Sequence, residues 1–134
     1  MSNWMARYQA GQRVQVWTQI VGMGAAVRSG ADRDEAASVA LEIMRRAREN
    51  VERLIDVLPQ HGYEFDDPVQ ALVPPPPNVV AQVDALEERV GVLPLSLRYW
   101  IQEVGQVNLN GHHPEWRYSY PDPLGVITRD VLYT

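Results

Sequence analysis

The densest group of chemically capable side chains in this 134-residue chain is His112-His113-Pro114-Glu115. Adjacent imidazoles with a carboxylate two residues on can ligate a divalent metal, and a bound metal can activate water for hydrolysis. The further ligands such a centre needs are not nearby, because the remaining histidine, His61, lies far upstream. Asp66-Asp67 is a carboxylate pair, but it precedes Pro68, where Asp serves to bond the backbone of a turn, so acid–base work is not expected of it. Ser96 and Ser119 have no base at a recognisable spacing. Gly22-Met23-Gly24 lacks the third glycine and the preceding strand of a dinucleotide loop. The chain has no cysteine, which excludes disulfides, thiol chemistry and cysteine-ligated zinc. All 12 basic residues are arginine, which excludes a Schiff-base lysine and the phosphate-binding lysine of a P-loop. The expectation is a chain that is not an enzyme, with no catalytic residues, no metal and no cofactor.

The same stretch reads better as a surface for a partner. Trp116, Tyr118 and Tyr120 alternate, so on a strand their rings share one face, and such residues dominate interface hot spots. Glu115 and Asp122 flank them, and these five residues are the candidate partner-binding set. Charge is divided unevenly along the chain. Residues 1–60 hold 8 Arg against 7 acids, whereas residues 61–134 hold 4 Arg against 10 acids. An acidic half repels phosphate backbones and suits a basic protein, so the expected partner is another protein and not a nucleic acid. The uncharged run Val14 to Val27 contains Gln15, Thr18 and Gln19 and falls short of the ~20 apolar residues of a membrane span. The polar residues also interrupt any signal-peptide core, so a cytoplasmic location is expected.

These residues must be positioned by the elements around them. Ala36, Ala40, Ile43, Ala47, Val51, Leu54 and Leu58 recur at three- and four-residue steps and predict an amphipathic helix over 32–58, with Asp32 and Glu35 as a capping box. Pro59 and Gly62 end it. Tyr8, Val14, Trp17, Val21 and Ala25 predict a helix over 3–28, joined through Ser29-Gly30 into a helical hairpin over 1–62 that could also form a homodimer. Residues 63–78 read as an extended segment followed by a polyproline connector, Pro74 to Pro77. Asn78 begins another helix whose inward residues are Val79 or Val80, Val83, Leu86 and Val90, and Gly91 stops it. Leu93-Pro94 opens a third helix, with Leu97, Tyr99, Trp100, Ile101 and Val104 as its apolar surface, closing at Gly105. Val107-Asn108-Leu109 predicts a strand ending at the turn dipeptide Asn110-Gly111. Residues 116–120, 124–128 and 131–133 are further strand candidates. Helices followed by strands predict an α+β fold: the hairpin, the connector, then a helix pair leading into a small antiparallel sheet over 79–134.

Within that last region, Leu86-Glu87, Gly91, Leu93-Pro94, Leu97-Arg98, Trp100, Gly105 and Val107-Asn108-Leu109 follow one another in an order that resembles the N-terminal signature of the SUKH superfamily. Asp122-Pro123-Leu124 resembles its later "DPL" segment. The resemblance covers residues 79–127 and implies a non-enzymatic α+β module. Many bacterial members act as immunity proteins that neutralise a toxin by direct binding, and others are regulatory or scaffolding domains. A SUKH domain continues with further strands and a helix, so a chain stopping at Thr134 is expected to be a fragment. Gly111-His112-His113 is also similar to the tripeptide of GHH-type HNH nucleases, which gives the rival expectation of a metal-dependent nuclease using His112 and His113.

Overall fold

A computed structural model describes residues 2–115 and the backbone of Gly125–Val126. These residues build an α+β fold with mostly helical content and two small antiparallel sheets. The chain divides into two compact units, Met1–Ile43 and Met44–Thr134, and the division falls inside the longest helix. Among the described residues, no helix is long and apolar enough to cross a membrane.

In the first unit, the expected helix over 3–28 is three pieces: α1 (Trp4–Gln9), α2 (Arg13–Gly22) and a tight helical turn over Gly24–Arg28. The break is local. Gly11 takes φ +100°, a conformation that glycine adopts without strain, and Gln12 N–H donates to the Arg7 carbonyl at 3.0 Å. The Arg7 guanidinium then bonds Gln12 and Gln19 Oε1 at 2.9 and 2.8 Å, bracing α1 on α2. Trp4, Tyr8, Val16, Ile20, Val27, Ala36, Val39 and Ala40 are the buried hydrophobic residues of this unit.

Helix α3 (Arg33–Gln60) agrees closely with its apolar periodicity. Its start differs from the expected capping box. The Glu35 carboxylate accepts from the Met5 backbone N–H at 3.2 Å and also bonds the Ser2 hydroxyl, whose Oγ lies 2.9 Å from Asp32 Oδ1. Tertiary donors have therefore taken both carboxylates. Pro59 lies inside the last turn, and Gly62 at φ +89° closes the helix. Tyr63 N–H donates to Leu58 O and Gly62 N–H to Pro59 O, the paired bonds of a Schellman end.

In the second unit, β1 (Glu64–Phe65) pairs with β4 (Gly111–His112), and β3 (Gln106–Asn108) lies between β2 (Leu72–Val73) and β5 (Gly125–Val126). All pairings are antiparallel. Val51, Val104 and Val107 form one buried cluster, surrounded by Met44, Ala47, Ile55, Leu72, Trp100 and Leu109. Val79, Val83 and Ile101 form another, packed by Leu93. The proline run sits against the body of this unit. A Cβ on Gly105 (φ +86°) would lie 2.4 Å from Val73 O and 3.0 Å from Pro75 N, so only glycine lets the segment approach.

Helix α4 (Val79–Val90) begins after Asn78 and stops at Gly91 (φ +92°), as expected. Val79, Val83 and Leu86 are buried, but Val90, expected inside, is 63% exposed. Leu54 of α3 and Leu97 of α5 (Leu95–Tyr99), both expected inside, are likewise exposed. Beyond α5 the chain widens into a π turn over Trp100–Val104, where Gly105 N–H donates to Trp100 O at 3.1 Å. Gly111, expected in a hairpin turn after β3, is instead a strand residue. A Cβ there would lie 2.1 Å from Glu64 O.

Candidate interaction surface

The residues that carry the family resemblance are mostly engaged within the fold. Leu86 is buried and Leu93 packs on the Val79–Val83–Ile101 cluster. Arg98 donates to Asp84 Oδ1 at 2.8 Å and lies 3.1 Å from Glu87 Oε2, while the Leu93 N–H donates to Glu87 Oε1 at 3.3 Å. Glu87 thus ties together the two helices and the corner between them. Burial works against the charge on Arg98, but hydrogen bonds and attraction from Asp84 and Glu87 outweigh it and raise the guanidinium pKa above its ordinary value. Trp100 Nε1–H donates to Gly105 O at 2.9 Å and holds the π turn shut. Side chains employed this way have little left to offer a ligand.

The β1–β4 ribbon is the opposite case. Glu64, Asp66, Asp67 and Glu115 are all exposed. The alternation Tyr63-Glu64-Phe65-Asp66 turns the aromatic rings inward and the acids outward. Tyr63 and Phe65 stack edge to face at 5.2 Å, and the Tyr63 hydroxyl donates to Leu109 O at 2.6 Å. Burial, and next the charge of Asp66, push the Tyr63 phenol above its ordinary pKa. Asp66 N–H donates to Asn110 O at 2.8 Å, which fixes the turn presenting Asp66 and Asp67. Glu64 and Asp66 are not among the candidate partner-binding residues that the sequence marks. Their alternation with Tyr63 and Phe65 was the available signal.

The two adjacent histidines have separate supports. His112 stands opposite Glu64 in the ladder, with Nε2 3.0 Å from Glu64 Oε2. His113 Nε2 lies 2.6 Å from the His61 carbonyl at the end of α3, and its Nδ1 accepts the Glu115 N–H at 3.1 Å. Among the described residues, no three His, Asp or Glu side chains are grouped to hold a metal ion. Of the five candidate partner-binding residues, Glu115 is exposed in the turn after β4. Trp116, Tyr118, Tyr120 and Asp122 lie outside the described residues, as do Ser119 and the Asp122-Pro123-Leu124 segment. On α2, Val14 is 76% and Val21 59% exposed, seven residues apart on one helix face.

Compared with protein-family models, with curated proteins and with solved structures, the chain finds no match in any of the three.

Proposed function

We propose that the protein is a non-enzymatic binding module, of immunity or regulatory type, that recognises a basic protein partner through the acidic β1–β4 ribbon and the residues that follow it. The observation that carries this reading is the exposure of Glu64, Asp66, Asp67 and Glu115 around one short ribbon. Such a group attracts a cationic surface over a distance comparable with the Debye length, ~8 Å at physiological salt, and fixes register on contact. It repels nucleic acid. Trp116, Tyr118 and Tyr120 follow Glu115 directly in the chain, and they would supply the apolar centre that an acidic rim surrounds in stable interfaces. The order of motifs resembling SUKH domains supports the immunity reading in particular. It leaves the ribbon available, because Glu87, Arg98 and Trp100 work inside the fold.

The test is co-expression and co-purification with a basic toxin-domain protein encoded beside this gene, followed by association kinetics at several salt concentrations. A complex is expected whose association slows as salt rises. The triple variant Glu64→Gln, Asp66→Asn, Asp67→Asn should lower the association rate about 10-fold while leaving folding stability within ~0.5 kcal/mol. A neighbouring toxin that is neither bound nor neutralised would refute the immunity reading. A complex indifferent to both salt and the triple variant would move the interface elsewhere.

A further inference from the structure

Helix α2 carries apolar side chains on its outward as well as its inward face. Val16 and Ile20 are buried, and Trp17 is half-buried beside them. Val14 and Val21 lie three and four residues from Trp17, in one row with it, and both are exposed. Thr18 is exposed between them, and no charged residue occurs from Val14 to Val27. The outward side of α3 is different, laced with the ion pairs Arg45–Glu49 and Arg48–Glu52. An uncharged helix with apolar residues on both faces is ordinarily covered on both.

We propose that the outward face of α2 is covered by the same face of a second copy of the chain, with the two helices antiparallel. Charge selects this occupant. Arg13 is the one charged side chain of α2 and stands in its first turn, which holds no acid, while the last turn holds no base. The helix dipole favours the reverse, an anion at the N-terminal end and a cation at the C-terminal end. The Arg13 guanidinium lies over the Tyr8 ring, 5.9 Å from its centre, and among the described residues no carboxylate pairs with it. An antiparallel copy corrects both ends at once, because each Arg13 then lies beside the last-turn carbonyls of the other helix. A basic partner would meet Arg13 as a like charge, and an acidic one would leave the C-terminal end without a cation. Net charge does not oppose self-contact here. Residues 1–43 hold four Arg and four acids, so the net −5 of the chain resides in the remainder. A Cβ on Gly22 would meet nothing within 4 Å, which leaves the end of α2 open to approach. In the symmetric register Val14 packs on the second copy's Val21 and Trp17 on its Thr18. Tryptophan is a usual anchor of such contacts, and the two-fold arrangement closes at a dimer.

Sedimentation equilibrium of the full chain, taken up to about 1 mM because one helix face makes a small and weak interface, tests this. The mass should rise with concentration from 15.2 kDa toward twice that value. Val14→Glu or Val21→Arg alone should weaken association about 10-fold or more, since each places two unpaired charges in the contact. Neither should change the thermal midpoint measured at a dilution where the unsubstituted chain is monomeric, because both side chains are exposed there. Mixing the two single variants should restore association. Combining both substitutions in one chain should restore it again, because each introduced glutamate then meets the introduced arginine of the other copy. A chain that stays at 15.2 kDa throughout, or a single variant that associates as before, would overturn the proposal. So would a double variant that stays monomeric, the result expected of parallel helices, in which like charges meet. A lowered thermal midpoint in either single variant would show the face covered from within its own chain, with the same consequence.

Discussion

The corner between α4 and α5 and the ribbon of β1 and β4 use the same residue types to opposite ends. Each has a glutamate facing a cationic or ionisable partner, Glu87 with Arg98 and Glu64 with His112. At the corner both side chains of that pair are 19% exposed, and the carboxylate also accepts a backbone N–H. On the ribbon they are 67% and 55% exposed. Ion pairs of the first kind specify a geometry, because an unpaired charge there would be costly. Those of the second contribute little to stability and remain open to other partners. The α4–α5 corner therefore builds the scaffold, and the proposed interface lies on the exposed ribbon.

The comparison can be broken in three ways. The largest effect belongs beside the corner, at Gly105. Gly105→Ala must place a methyl group 2.4 Å from Val73 O at a positive φ, and should cost about 3 kcal/mol in chemical denaturation. A loss below ~1 kcal/mol would mean that the proline run does not rest there. Next is Arg98→Met, which keeps the aliphatic stem and removes the bonds to Asp84 and Glu87. It should cost ~1–2 kcal/mol without altering partner binding. Weakened binding at unchanged stability would place the interface on the corner and not on the ribbon. The smallest effect is at Tyr63. Its raised pKa means that the folded state holds the phenol proton more tightly. This contribution is intact below the ordinary phenol value, ~10, and falls as pH rises through the folded one. Tyr63→Phe should lose a little stability at neutral pH with the bond to Leu109, and show a shallower alkaline decline in urea titrations repeated across pH.

How much of this was legible in the sequence depends on how far each determinant lies from the residue it governs. Helix α3 was readable because its apolar period is local, and α4 because Asn78 and Gly91 mark its two ends. Gly105 was readable as a stop, although nothing local revealed that Val73 and Pro75 press on it. The failures are non-local. Glu35 fits a capping box but serves Ser2 and Met5, 30 or more residues away. Gly111 fits a hairpin turn but pairs with Phe65, and only that pairing makes it a strand residue. The break at Gly11 is the exception: it is local, set by a positive φ that helix periodicity does not encode, and the Arg7 bonds to Gln12 and Gln19 then brace it. At the candidate surface, Glu115 was named in advance, whereas Glu64 and Asp66 joined it only when β1 was found beside β4.

The π turn over Trp100–Val104 has a consequence for how this chain can vary in length. A helix that closes with an i to i+5 bond holds one residue more than the regular repeat. Removing any one residue there would restore an ordinary helical end. It would also swing Gly105 away from the Val73 carbonyl, unseat the Trp100 indole from Gly105 O, and shift β3 by one place, turning Val107 from the core to the outer face. Insertions and deletions are therefore excluded from this turn, because the register of β3 against β2 depends on it. The extra residue acts as a length lock on the second unit, and its signature in any set of related chains would be a constant count between Pro94 and Asn108.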